Sequence, residues 1–195
     1  MKILIDNGHG SDTKGKCSPD GKHREYQWAR KFAERLVQHL RDLGYDAQRI
    51  VPEETDISIR ERCQRVNAIC AEVGSKNVLM VSIHNNAAGS DGNWHNARGW
   101  SVHVSLNASD RSKKLACRLV EAVEARGIKV RKYSPSEPFW AQNLGMCRDT
   151  NCPAVLTENL FQDSKEDVAL LYDEACVNAL IDAHATGIIQ YINSL

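Results

Sequence analysis

Two histidines follow short apolar runs that have the composition of β-strands, and they are the first sign of chemistry in this chain. His9 comes shortly after the run 2–6, and His84 ends the run 78–84. If both runs are parallel strands of one sheet, their carboxyl ends lie on the same edge, where open α/β sheets bind ligands. Two imidazoles brought to one edge indicate a metal site.

Two glutamates complete a candidate hydrolytic centre. Glu158 ends a third strand-like run, 154–158. Glu25 lies one turn before the apolar stripe of the first predicted helix, and helical geometry turns its carboxylate towards the sheet. Two histidines and one carboxylate are a usual ligand set for catalytic zinc, and a second carboxylate can activate the attacking water. Spacing alone does not decide which acid is the ligand and which is the base.

These residues need a framework of strands and helices, and the hydrophobic pattern predicts one. Short apolar runs bounded by turns alternate with segments of helical periodicity, which is typical of an α/β sheet with crossover helices. We therefore expect a single-domain α/β fold, with a mostly parallel twisted sheet of about six strands and helices on both faces. The predicted strands are 2–6, 47–51, 78–84, 100–105, 144–148 and 154–158, and the predicted helices are 24–43, 57–73, 110–126 and 165–194.

Composition limits the partners of the chain. Its 195 residues carry 25 basic and 25 acidic side chains, so no overall charge favours nucleic acid or an anionic membrane. We find no secretory pattern at the start and no apolar run of about 18 residues, and we expect a soluble chain made in the cytoplasm or one whose signal has been removed. The seven cysteines contain no CxxC pair and are expected as reduced thiols.

A rival motif overlaps the first loop. Residues 10–16 have the pattern G-x-x-x-x-G-K after a strand, as a phosphate-binding P-loop does. However, Cys17 stands where a magnesium-binding Ser or Thr belongs. The segment 18–21, Ser-Pro-Asp-Gly, predicts a turn where a helix N-terminus should meet the phosphates. The sequence therefore disfavours nucleotide binding at this loop.

Four motifs, in order along nearly the whole chain, resemble those of the zinc-dependent N-acetylmuramoyl-L-alanine amidases that cleave bacterial peptidoglycan. Asn7 replaces a family proline, Ser11 a glycine, and Leu160 the glycine beside the family's catalytic glutamate, but none of these departures removes a ligand or the base. The matching segments are 6–10, D-N-G-H-G, similar to D-P-G-H-G; 59–67, with Arg62 and Asn67 of a helix pattern; 82–87, S-I-H-N-N-A, similar to S-I-H-A-N-A; and 153–161, similar to P-A-V-L-x-E-x-G-F.

The resemblance implies the roles that spacing leaves open. It implies that His9, Glu25 and His84 bind one Zn²⁺ ion and that Glu158 is the catalytic acid and base. The implied reaction is hydrolysis of the amide bond between N-acetylmuramic acid and the L-alanine of the peptidoglycan stem peptide.

Four further residues are candidates that also have a plain structural interpretation. Asn86 is a candidate for substrate binding or a turn cap, and Arg148 for binding a stem-peptide carboxylate or a surface arginine. Asp6 is either an orienting partner of a metal ligand or a solvated strand-end acid. Trp94 lies in a Gly/Asn-rich loop, where it either stacks on a sugar ring or packs against the protein.

For the protein as a whole, we expect one catalytic domain over residues 1–195, without a separate wall-binding domain, that acts as a monomer. The expected substrate is peptidoglycan or a muropeptide, with no nucleic-acid partner and no membrane insertion. Action at the bacterial cell wall is expected, after endolysin-like release or after removal of a signal. Two alternatives remain: a zinc peptidase or carboxypeptidase acting elsewhere on the stem, and a catalytically idle peptidoglycan-binding module. Glu158 speaks against the idle module, because binding alone needs no base.

Overall fold

The chain alternates strands and helices along its whole length. A computed structural model describes residues 1–195 and contains six strands and six α-helices. The strands are β1 (Lys2–Asn7), β2 (Asp46–Arg49), β3 (Val78–Asn86), β4 (Ser101–Ser105), β5 (Trp140–Gln142) and β6 (Ala154–Phe161). The helices are α1 (Glu25–Asp42), α2 (Ile59–Val73), α3 (Asp110–Glu124), α4 (Gly145–Arg148), α5 (Lys165–Leu171) and α6 (Glu174–Ile192).

The strands form one sheet in which the three that carry candidate site residues are neighbours. The strand order is β2-β1-β3-β6-β4-β5, and only the pairing of β4 with β6 is antiparallel. Strands β1, β3 and β6 lie side by side and parallel. Their carboxyl ends therefore meet at one edge of the sheet, which is the arrangement expected from His9, His84 and Glu158.

Helices cover both faces of the sheet, as predicted. Because side chains alternate across a strand, Ile3 and Ile5 of β1 face a core cluster of 33 buried residues that also includes apolar side chains of α1, α3 and α6. Leu4 faces the opposite side, where α2 and α4 close a smaller cluster of 10 buried residues. The sheet is thus apolar on both faces. Its polar groups concentrate at its carboxyl edge and along part of the face that α2 and α4 cover.

The strand predicted at 144–148 is wrong. That segment contains helix α4. The remaining strand of the sheet, β5, begins four residues earlier, at Trp140, which pairs with His103 of β4. The segment has only three apolar side chains, Leu144, Met146 and Cys147, and so short a pattern fits a short strand and a single helical turn equally well. Strand β6 also continues beyond the predicted 154–158, to Phe161.

The predicted C-terminal helix 165–194 is two helices. Helix α5 ends at Leu171, and α6 begins at Glu174 after Asp173, whose carboxylate accepts a hydrogen bond from the backbone N–H of Ala175. Asp is a preferred N-cap residue, so the break has a local signal in the sequence. No helix of the structure has both the length and the apolar character needed to cross a membrane. All seven cysteines are free thiols.

Candidate metal centre

His9 lies in a sharply turned loop after β1, and buried arginines hold that loop in place. Its φ angle is 60°, a left-handed conformation that is uncommon for residues other than glycine. The His9 carbonyl accepts hydrogen bonds from Arg30 Nη2 at 3.0 Å and Arg62 Nη2 at 3.2 Å. Gly8, the preceding residue, has no room for a side chain, because an added Cβ would overlap the ring of His84. The loop thus brings the two imidazoles together.

Glu25 is the first residue of α1, and its carboxylate points to both histidines. Its side chain is 1% exposed. Oε1 lies 3.0 Å from His84 Nδ1 and 3.4 Å from His9 Nε2, and it accepts a hydrogen bond of 3.0 Å from the backbone N–H of Asn85. The three side chains each offer one ligand atom, and these atoms lie within 4.8 Å of one another. The structure therefore brings together the three predicted ligands.

These three side chains fit a zinc ion. Catalytic zinc is commonly held by three protein ligands drawn from imidazole nitrogen and carboxylate oxygen, with a fourth position left open. The second carboxylate oxygen of Glu25, Oε2, is buried and has no hydrogen-bond partner within the protein. Since buried polar atoms are almost always paired, this oxygen needs a partner, and a cation bound by His9, Glu25 and His84 would provide one.

The charges of the cluster favour an ionised glutamate beside its imidazoles. Burial by itself raises the pKa of Glu25, but hydrogen bonds from His84 and His9 outweigh it and hold the pKa well below its usual range. Burial lowers the pKa of His84, and the Glu25 carboxylate reverses that effect, so the pKa of His84 is raised. The negative charge of Glu25 therefore attracts positive charge to this point of the sheet edge.

Glu158 stands directly beside the cluster. In the pairing of β3 with β6 it is the register partner of His84, so both side chains leave the sheet on the same face. Its Oε2 is buried without a hydrogen-bond partner. Burial raises the pKa of Glu158 to about 7, and the nearby charge of Glu25 adds to this rise although His84 opposes it. A carboxylate with such a pKa can exchange protons near neutral pH.

A chain of buried amides supports the cluster from behind. Asn85 Oδ1 accepts from His23 Nε2 at 3.0 Å, and Asn85 Nδ2 donates to the Asn159 carbonyl at 2.6 Å. Asn159 Nδ2 donates to the His84 carbonyl at 3.1 Å, and Trp100 Nε1 donates to Asn159 Oδ1 at 3.0 Å. Sequence reasoning missed this support. Asn85 and Asn159 directly follow His84 and Glu158, so their adjacency to site residues was the available signal.

The Asp6 carboxylate makes its hydrogen bonds and ion pair to residues other than the predicted ligands. Its carboxylate is paired with Arg62 Nη1 at 2.7 Å and accepts a hydrogen bond from the Ser82 hydroxyl. Arg62 also donates to the carbonyls of Asn7 and Ile57. We call Asp6, Arg62 and Ser82 the Arg62 network. It positions the His9 loop through hydrogen bonds from Arg62 to the backbone carbonyls of Asn7 and His9, and not through the imidazole.

The remaining candidates lie at different places. The Oδ1 of Asn86 accepts from the backbone N–H of Ala87, which is the interaction of a turn cap. Trp94 lies under Lys165, whose Nζ is 5.7 Å from the ring centroid. Arg148 pairs with Asp149, and it borders a cavity near the amino ends of β3 and β6, so the structure does not bring it together with the metal-binding cluster.

Fold and site together define a class. It is an α/β protein in which parallel strands bring two histidines and one glutamate to one sheet edge, where the first residue of a helix adds a second glutamate. The chain belongs to the Amidase_3 family, described as N-acetylmuramoyl-L-alanine amidase, whose model matches residues 3–190. In this family's motif the position of Leu160 is a glycine, and the structure shows why: φ of Leu160 is 65°.

Known proteins similar to the chain include an endolysin and a probable cell wall amidase. The chain is 27% identical over 196 residues to the endolysin of Bacillus phage SPP1 and 26% identical over 193 residues to the probable cell wall amidase LytH of Staphylococcus epidermidis. It covers 66% and 58% of the length of these two relatives, which cover 98% of this chain. The crystal structure of an N-acetylmuramoyl-L-alanine amidase from Clostridium difficile 630 superposes with a TM-score of 0.83, at 26% identity, covering 99% of this chain and 97% of the other.

Proposed function

We propose that the protein is a zinc-dependent N-acetylmuramoyl-L-alanine amidase, which hydrolyses the amide bond between N-acetylmuramic acid and the L-alanine of the peptidoglycan stem peptide. The observation that carries the proposal is the convergence of His9, Glu25 and His84 beside Glu158, in a chain that belongs to an amidase family. The cell-wall names of its relatives support peptidoglycan as the substrate.

Each residue of the cluster has a defined task in this reaction. His9, Glu25 and His84 would hold the zinc ion, whose Lewis acidity polarises an amide carbonyl and acidifies water. Glu158 accepts a proton from the attacking water and returns it to the departing L-alanine nitrogen. In the metal-free protein, burial raises the pKa of Glu158 to about 7, which favours uptake of a proton by this carboxylate near neutral pH. The Arg62 network holds the His9 loop in position, and the backbone N–H of Asn85 holds the Glu25 carboxylate.

We further propose that the protein acts at the bacterial cell wall and as a monomer. The relatives named endolysin and cell wall amidase support the first statement. The second is the simplest state for this activity, because the cluster is complete within one chain and needs no residue from a second copy. Gel filtration at micromolar concentration tests the oligomeric state, and a dimer peak would contradict it.

Product analysis tests the reaction. Digestion of purified peptidoglycan should release stem peptides with a new free amine on L-alanine and should leave intact N-acetylmuramic acid on the glycan. Fragments cut between two residues of the stem would instead identify a peptidase and contradict the proposal.

Metal analysis tests the cofactor separately. Elemental analysis should find one zinc per chain, a chelator should remove activity, and added zinc should restore it. In His9→Ala and His84→Ala proteins the bound zinc should be lost, whereas His184→Leu, a substitution in the core, should retain it. A chelated protein that keeps full activity would overturn zinc dependence.

A further inference from the structure

The loop between β1 and α1 carries a lysine, Lys16, whose charge the proposed reaction does not use. Lys16 ends the G-x-x-x-x-G-K pattern of residues 10–16, and no helix follows that pattern until α1 begins at Glu25. Its side chain is half-buried. The lysines that form ion pairs within the protein are Lys2, Lys22 and Lys132. The Lys16 ammonium group thus has no acidic partner and is available to a ligand.

Backbone pairing places Lys16 opposite Glu25, one of the predicted metal ligands. Cys17 and Arg24 form an antiparallel bridge, and next to it the backbone N–H of Glu25 donates to the Lys16 carbonyl at 3.1 Å. Residues that face each other across an antiparallel pair carry their side chains on the same side, with Cβ atoms about 5 Å apart. Because side chains alternate along an extended chain, Cys17 and Arg24 project to one side and Lys16 to the other, with Glu25.

The surroundings of the loop agree with this direction of the Lys16 side chain. A cavity of about 200 Å³ beside Gln162 and Asp163 is bordered by Cys17 but not by Lys16. On the other side, the Lys16 ammonium group lies close enough to Glu158 to act against the rise that burial causes in the pKa of this carboxyl. Lys16 is therefore a free cation beside the metal-binding cluster and the proposed base.

This position limits the part of a stem peptide that Lys16 can meet. The L-alanine nitrogen must lie at Glu158, because that residue returns a proton to it. The next stem residue is a γ-linked D-glutamate, whose α-carbon lies about 4 Å beyond that of L-alanine. This carbon carries either a free carboxylate or its amide. An ammonium group forms a charge-assisted hydrogen bond with the carboxylate, which is about twice as strong as a bond to the neutral amide.

We propose that Lys16 binds the α-carboxylate of the second stem residue, so that the enzyme prefers stems in which this carboxylate is free over stems in which it is amidated. The proposal rests on the proposed amidase function and adds the substrate feature that the site selects. His9 and His84 are engaged with Glu25, whereas the charge of Lys16 remains for the peptide. Lys16 is a substrate-binding residue that neither holds the metal nor transfers a proton.

Equilibrium binding tests the inference without turnover. The protein is the zinc-loaded Glu158→Gln variant. The two probes are N-acetylmuramoyl-L-alanyl-γ-D-glutamyl-L-lysine and the same compound with the α-carboxyl of its D-glutamate amidated. Isothermal titration calorimetry should show about tenfold tighter binding of the carboxylate form, as expected for one charge-assisted hydrogen bond. Equal affinities, tighter binding of the amidated form, or no binding of the carboxylate form at millimolar concentration would overturn the inference.

Three variants in that background assign the preference to a residue. Lys16→Gln should weaken binding of the carboxylate form only, and Lys16→Arg should keep most of the preference because it keeps the charge. Lys14→Gln is the matched control, since it removes the same charge from an exposed position of the same loop, and it should leave the preference unchanged. A Lys16→Gln protein that weakens both forms alike would show a structural role, and one that keeps the preference would place the selection elsewhere. Either result would overturn the proposal.

The wild-type protein separates this inference from the proposed function. If it releases stems that begin with L-alanine from peptidoglycan, while binding shows no preference for the free carboxylate, only the inference about Lys16 fails. If it releases no such stems from peptidoglycan with either form of D-glutamate, the amidase proposal fails.

Discussion

Two neighbouring groups of buried acids at the carboxyl edge of the sheet are satisfied in opposite ways. Asp6 and Glu25 are both 1% exposed. In the Arg62 network both oxygens of Asp6 are used, one by Arg62 and the other by the Ser82 hydroxyl. In the cluster of predicted ligands, Glu25 and Glu158 each retain one buried oxygen with no partner in the protein.

This difference separates the polar groups that build the fold from those that serve a ligand. A buried network that is closed on itself rigidifies the structure, whereas one that leaves atoms unpaired carries a cost in stability. Such a cost is expected at functional sites, because ligand binding requires polar atoms that the protein itself leaves unpaired. His184, on the other face of the sheet, belongs to the closed kind, because its two ring nitrogens lie 2.7 Å from the Leu180 carbonyl and 3.2 Å from Thr157 Oγ1. It is therefore a buried histidine with both ring nitrogens paired within the protein.

Glu158→Gln should have the largest effect, because it removes the proposed base and leaves the predicted ligands in place. Loss of the proton-transferring group should lower kcat about 1,000-fold. Zinc should stay bound, since Glu158 is not among the predicted ligands. Turnover of a muropeptide, together with elemental analysis, checks both statements. Full activity would show that Glu158 is not the base.

The same variant should gain stability where the wild-type carboxyl ionises. The pKa of Glu158 is raised from 4.5 to about 7 in the folded protein. A raised pKa means that the carboxyl contributes stability below about pH 4.5 and that this contribution is lost as the pH rises through 7. Metal-free Glu158→Gln should therefore match the wild type at pH 4 and exceed it at pH 8 in urea unfolding. A variant less stable than wild type at pH 8 would contradict the conclusion that the Glu158 carboxylate is buried without a partner.

Breaking the closed network should have the opposite result. Arg62→Met leaves Asp6 as a buried, unpaired charge and should lower the free energy of unfolding by about 3 to 5 kcal/mol. Arg65→Met, on the same helix, removes an arginine whose pairs with Glu53 and Glu61 are partly exposed, and it should cost less than about 1 kcal/mol. Urea unfolding of both variants gives the comparison. Equal losses would show that the Arg62 network is no more important than a surface pair.

The closed environment of His184 should appear in the pH dependence of stability. Burial lowers the pKa of His184 from 6.5 to about 4 in the folded protein. Its contribution is therefore complete above about pH 6.5 and is lost as the pH falls towards 4, by roughly 3 kcal/mol. The metal-free His184→Leu protein should lose correspondingly less stability between pH 7 and pH 4 than the wild type. Parallel curves for the two proteins would contradict this assignment.

The smallest effect concerns the backbone beside Glu158. Leu160→Ala and Leu160→Gly both remove a buried side chain, but only glycine relieves the positive φ. The glycine variant should therefore be more stable than the alanine variant by about 1 kcal/mol. Leu156, buried in the regular part of β6, provides the control, because there glycine should be less stable than alanine by a similar amount. The same order at both positions would show that Leu160 is not strained.

Local patterns in the sequence are enough to predict most of the architecture and the four central residues. Alternating apolar runs and helical stripes predict the α/β sheet, because burial imposes a period on each element regardless of its partners. His9, His84 and Glu158 could be placed on one edge because parallel strands share the direction of their carboxyl ends. Spacing did not separate ligand from base, and the resemblance of motifs supplied that distinction. The prediction of a strand at 144–148 was wrong because one helical turn and a short strand have the same pattern.

Contacts between residues far apart in the chain decided the rest. Arg62 meets Asp6 across 56 positions, and Asn159 meets His84 across 75, and neither pair has a local signature. The strained φ of Leu160 and the cavity beside Gln162 and Asp163 arise only when three segments are packed together. Residue types and their periods determine which chemistry is available and on which element it lies. The packed structure determines which buried atoms stay unpaired, because pairing depends on distances that no spacing in the sequence encodes.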